Sequence, residues 1–161
     1  MSFDKFIQTR TIARKVSLPA IDFPTYNLDS FIDFEADGYL VGVHFMVTHN
    51  VATVGAGAID PTKPAGAIVA KVSGDALTIP AGGNFTNFSG AQILVSHLAL
   101  PDSDGASNLE SNSRQTTIAY DADSKRIPIK SNDRLGVYLC TNSDGSAINF
   151  AYTLTAYFVR S

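Results

Sequence analysis

The chain has 161 residues, of which 45% are hydrophobic and 17% charged, with a formal net charge of −3. That length suits one domain, able to bury a core without disulfides or metal. The acidic balance argues against binding nucleic acid through its phosphates. A charge content below the usual ~25% implies a surface covered by a partner or coated with Ser, Thr and Asn.

The bases are unevenly placed. Lys5, Arg10, Arg14 and Lys15 fall within the first fifteen residues, opposed only by Asp4. They form either a solvated basic end or an arm that lies on an acidic partner. Cys140 is the only cysteine, which excludes a disulfide within the chain and fits assembly in a reducing compartment. The first residues show no basic segment followed by an apolar run, so no secretory signal is expected. No apolar stretch reaches the 18 or so residues that a membrane helix needs, so the expectation is a soluble protein made in the cytoplasm, with no membrane partner.

In chain order, residues 1–26 read as an extended arm with one strand, because Ile7, Thr9, Thr11 and Ala13 alternate with polar neighbours before Pro19 and Pro24. Residues 28–34 alternate, with Leu28, Ser30, Ile32 and Phe34 on one side. After a turn at Asp37 and Gly38, residues 39–48 form a strand. There Tyr39, Val41, Val43, Phe45 and Val47 share one face, and Leu40, Gly42, His44, Met46 and Thr48 the other. Further strands are predicted at 51–59, 67–72, 76–79, 91–100, 115–120, 126–130 and 134–141. The last runs from 147 to 159 after a loop containing Asp-Gly. Thirteen residues at ~3.3 Å each make a strand of roughly 40 Å, which calls for a bend or bulge. Many short strands joined by turn residues, with no helical period of ten residues, indicate an all-β antiparallel sandwich. Its domains are an arm at 1–26 and a body at 27–161.

Several strands are apolar on both faces, whereas a strand with one wet face alternates. The outer apolar residues need a cover, supplied by a second copy or by the folded-back arm and loops. The interface candidates are Tyr39, Val41, Val43, Leu94, Leu98, Tyr157 and Val159.

Chemistry is hard to place. His44, His49 and His97 do not have the spacing of a zinc site, and Cys140 reads as a small packed residue. Residues 102–105, with Glu110 nearby, and the pair Asp121 and Asp123 are acidic turns that lack the ligand steps of a helix-loop-helix calcium site. There is no Gly-x-Ser-x-Gly elbow and no phosphate loop, and Ser96 and His97 would point to opposite sheet faces. No catalytic residue, metal or cofactor is assigned. Sugar stacking on Tyr26, Phe85 or Phe88 stays open, although the chain has no Trp.

The segment 126–130 (Arg-Ile-Pro-Ile-Lys), the strand 133–139 (Asp-Arg-Leu-Gly-Val-Tyr-Leu) and the closing strand ending at 157–160 (Tyr-Phe-Val-Arg) resemble the C-terminal half of small viral jelly-roll proteins. The style is similar to that of phage head decoration (cement) proteins. The resemblance implies a jelly-roll sandwich, a homotrimeric knob, a viral major capsid protein as partner, and a place on the virion surface after assembly in the host cytoplasm. It also implies no enzyme activity. On this reading Lys5, Arg10, Arg14 and Lys15 contact the capsid. The alternative is a receptor- or carbohydrate-binding module of a virion fibre or spike.

Overall fold

The structure, a computed structural model, describes residues 6–18, 26–51, 65–73, 91–99, 112–120, 122–140 and 148–161. Nine strands lie in them: β1 (Gln8–Leu18), β2 (Tyr26–Asp33), β3 (Gly38–Val51), β4 (Ala65–Ser73), β5 (Ala91–Ala99), β6 (Asn112–Ala119), β7 (Ile127–Ile129), β8 (Asp133–Cys140) and β9 (Ile148–Arg160). A single 3-10 turn, Asp123–Lys125, precedes β7. The strands predicted at 51–59 (beyond the end of β3) and at 76–79 lie outside the described residues.

Two antiparallel sheets form a sandwich. The first has the order β1-β9-β3-β6, with β7 also pairing with β3, and the second has the order β2-β8-β4-β5. With β7 set aside, the eight remaining strands pair first with last: β1 with β9, β2 with β8, β3 with β6, and β4 with β5. Successive pairs alternate between the sheets, as when one long hairpin is rolled around a barrel axis. Eight strands in two interlocking Greek keys make a jelly roll.

The core lies between the sheets, where alternate residues of each strand meet. Leu40, Val43, Phe45 and Val47 of β3 face Leu135, Val137 and Leu139 of β8 and Ala67 and Val69 of β4, all fully buried. β9 adds Phe150, Tyr152, Leu154, Ala156 and Phe158. Its length follows from its position: it pairs with β1 on one side and β3 on the other along nearly its whole run.

Three bulges reset the alternation. Leu40 pairs with Phe158 and Gly42 with Tyr157, which leaves Val41 as an extra residue. In the same way Asp29 is extra between Leu28 and Ser30, and Leu94 between Ile93 and Val95. A bulge residue shifts everything on one side of it by one step, so the two halves of the strand exchange faces. Tyr39, Val41, Val43, Phe45 and Val47, expected to share one face, are therefore divided between two. Leu40 and Val43 both point inward, while Tyr39 and Val41 point outward. Leu28 leaves the face of Ile32 and Phe34 for the same reason and packs beside Tyr138 on the outer side of the second sheet.

The segment assigned to an arm is also different in part. Residues 8–18 are a strand of the body, matched to β9 from Gln8↔Phe158 to Leu18↔Ile148. Ile12, Val16 and Leu18 pack against the core.

Candidate functional site

The outer face of the first sheet is the most extensive uncovered surface that the described strands build. Rows of side chains cross it from β1 to β6, fixed by the register. One row is Thr11, Thr155, His44 and Thr117. Within it the Thr11 and Thr155 hydroxyls lie 3.1 Å apart and His44 Nδ1 lies 2.7 Å from the Thr117 hydroxyl. The next row is Ala13, Thr153, Met46 and Gln115. Small residues at Ala151 and Thr153 leave open troughs of about 430 and 320 Å³, flanked by Lys15, Met46 and Thr48.

Towards the start of β1 the face becomes apolar. Tyr157 lies over Gly42, whose missing side chain makes the room: a Cβ there would sit 3.2 Å from Tyr157 Cδ2. Tyr39 pairs with Val159 on one side and Pro128 on the other, and Pro128 is exposed. Tyr39 and Tyr157 are 39% and 36% exposed, large values for aromatic rings in a sheet. Among the described outward side chains of β1, β9, β3 and β6, only Lys15 is charged, and it lies near the opposite end.

The predicted interface residues thus divide. Tyr39, Val41, Tyr157 and Val159 come together at this end, although Val159 is already largely covered. Val43 is in the core, placed there by the bulge at Val41, and Leu94 packs against the core from β5. Leu98 belongs to β5 in the other sheet, and its side chain lies outside the described residues. Sequence reasoning missed Phe6 and Ile7, which are 89% and 60% exposed just ahead of β1. The signal was two adjacent large apolar residues next to a basic run.

The basic candidates divide too. Lys5 lies outside the described residues, while Arg10 and Lys15 are exposed on β1. Arg14 points towards the sandwich edge and is held by Asp29, Nε to Oδ2 at 3.0 Å and Nη2 to Oδ1 at 3.2 Å. The bulge at Asp29 aims its carboxylate at this place. The Tyr152 hydroxyl donates to the same carboxylate and takes a hydrogen bond from Ser30. The cluster joins β1 and β9 of one sheet to β2 of the other. The bond to Asp29, with its charge, raises the Arg14 pKa. Burial foremost, and then the bond to Asp29, raises that of Tyr152.

A second polar contact closes the opposite edge. His97 of β5 points inward, stacks on Phe45 with ring centroids 5.9 Å apart, and places Nε2 2.8 Å from the Thr116 hydroxyl of β6. Burial foremost, and then the charge of Arg114, lowers its pKa. His44 and His97 therefore belong to different sheets and different faces. Among the described residues no three His, Cys, Asp or Glu side chains gather in a metal-holding group. Residues 102–105, Glu110, Asp121, Phe85 and Phe88 lie outside the described residues, as do the side chains of His49, Tyr26, Asp123 and Cys140.

No family model matches the sequence, and no curated protein does. Solved structures with a similar chain path include a decameric BFDV capsid protein, with 11% identity, 97% of this chain and 100% of that chain covered, and a TM-score of 0.34. A 60-mer BFDV capsid protein matches with 13% identity, 98% and 95% covered, and a TM-score of 0.31. The VP2 subviral particle of infectious bursal disease virus matches with 11% identity, 96% of this chain, 38% of that chain and a TM-score of 0.34. The fold assignment rests on the strand order, not on these superpositions.

Proposed function

We propose that this chain is a structural virion protein, a capsid decoration subunit that self-associates through the outer face of its first sheet. The observation that carries the reading is that face: a wide sheet surface with one charged side chain among the described residues and exposed Tyr39, Tyr157 and Met46, on a jelly-roll body. Depletion of charge and enrichment in Tyr and Met mark the centre of protein interfaces, and jelly rolls serve as viral capsid domains. The oligomer is a homotrimeric knob. Arg10 and Lys15 on β1, with Lys5 ahead of them, meet an acidic surface of the viral major capsid protein. Repeated contacts of this kind add up across a shell.

Light scattering across a concentration series tests the association. The expected mass is three times 17.1 kDa, and Tyr157→Asp shifts it towards the monomer. A concentration-independent monomer overturns the reading. Co-sedimentation with capsids of the parent virus tests the second contact, where Arg10→Glu with Lys15→Glu abolishes binding if the charges carry it.

The diagonal pair of exposed rings, Tyr39 and Tyr157, favours one further reading, a glycan-binding face on a virion spike. A glycan-array signal lost in both Tyr39→Ala and Tyr157→Ala, on a monomeric protein, selects it.

A further inference from the structure

Phe6 and Ile7 are left largely uncovered by the described residues. Both are described, both precede the first registered pair, Gln8↔Phe158, and both are the most exposed large apolar side chains of the described chain. Alternation along β1 places Ile7 on the same face as Thr9, so it extends the row formed by Val159, Tyr39 and Pro128. Phe6 runs past the end of the sheet. The apolar end of the outer face therefore continues into a two-residue projection that none of the described residues covers.

We infer that Phe6 and Ile7 are a docking anchor that seats on the apolar end of the same sheet face, at Tyr39 and Tyr157, of a second copy of this chain. The proposal rests on the self-association proposed above and names its contact.

The area of the face points to a second copy as the occupant. Four strands ~4.8 Å apart and eleven residues long give a flat footprint of roughly 700 Å². A stable interface of standard size takes about 800 Å² from each partner. The flat face alone falls short, the more so because its β6 side is shorter than β1. A nearly free Phe and a half-free Ile add roughly 250–300 Å², which carries the contact past that size. The patch and the anchor are both uncharged, so two copies meet there without like-charge repulsion; Lys15, the charged outward residue, lies at the far end of the face. Anchor and receiving patch adjoin at one end of one face, so each copy can both give and receive the contact.

The test uses the full chain. Phe6→Ser with Ile7→Ser is measured by light scattering over a concentration series beside the parent protein, with thermal melts to verify folding. The substituted side chains are exposed, so the fold is expected to be retained. Association is expected to weaken by roughly tenfold or more. Contact is read independently by mixing two chains, both with Cys140→Ser, one carrying Ile7→Cys and the other Tyr39→Cys. Oxidation is expected to give the mixed disulfide dimer, which needs Cα atoms within about 7 Å. If the parent protein associates while the double Ser variant associates equally well, or if no mixed disulfide forms, the anchor is refuted and the self-association stands. If the parent protein is a monomer at every concentration, both fall.

Discussion

Deleting Val41 is expected to harm the protein less than deleting His44, three positions along the same strand. Val41 is the residue that β9 skips, so its removal turns the bulged stretch into a regular one. Leu40 and Val43 then still point inward, with Gly42 between them. What is lost is the outward Val41 side chain and the local backbone link, including the 3.0 Å bond from Tyr120 N to Val41 O. A hydrogen bond contributes about 1 kcal/mol net, and the partly covered Val41 side chain adds about 1 kcal/mol. Deleting His44 removes a residue inside the registered run. To keep Phe45 inward, Val43 must turn outward and Gly42 take its place in the core. A fully buried Val replaced by Gly forfeits its transfer energy and leaves a cavity, about 3–4 kcal/mol together. The difference of about 1–2 kcal/mol corresponds to about 2–8 °C in Tm for a domain of this length. Thermal and urea melts of both deletions at pH 7 measure it. Equal losses, or a greater loss for the Val41 deletion, would refute the assignment of the extra residue.

Three other outcomes are expected. Gly38→Ala places a Cβ 2.1 Å from the Val159 carbonyl oxygen and 2.7 Å from the Phe158 ring. The backbone must shift, and urea melts should show a loss of about 2–3 kcal/mol. Because the folded state holds His97 neutral below its ordinary value of 6.5, the unfolded chain takes up the proton first as pH falls. The stability contributed by the neutral ring is present above pH 6.5 and is lost as pH drops below it. Melts between pH 8 and 5 should show this slope, and His97→Gln should flatten it. Finally, deleting residues 1–20 removes β1 with Ile12, Val16 and Leu18. Such a truncation is expected to lose amide protection in β9 in hydrogen exchange, so it does not serve as a test of capsid contact. A truncated body with unchanged protection would show that β1 is dispensable.

The strand sequence of the body was legible because turn residues and short apolar runs mark each strand. Residues 134–141 and 147–159 differ by only one residue at each end from β8 and β9. Faces were legible only where no bulge intervenes. In β9 the inward set of Phe150, Tyr152, Leu154 and Phe158 follows from simple alternation. In β2, β3 and β5 one skipped residue inverts the pattern, and nothing local in Asp29, Val41 or Leu94 announces it. The bulge is set by what the partner strand offers: β3 changes its neighbour from β7 to β6 at Val41. Arg14 shows the same limit. Its charge suggested an outward role, but its partner Asp29 is aimed at it by a bulge in another sheet. Tyr39 and Tyr157 lie on one face because they belong to registered pairs on either side of the bulge, Tyr39 with Val159 and Tyr157 with Gly42.

The pairing of β1 with β9 has a consequence for how the molecule is made. β1 leaves the ribosome well before β9, so it finds its partner only when β9 has been synthesised. Such end-to-end closure is slow, because the whole intervening chain must be ordered before the contact stabilises anything. Until then each nascent chain carries an unpaired β1, and each neighbour an unfilled place beside β9. Chains made close together on one message can fill that place for one another, so the concentration during synthesis governs whether subunits close individually or leave the ribosome with exchanged strands.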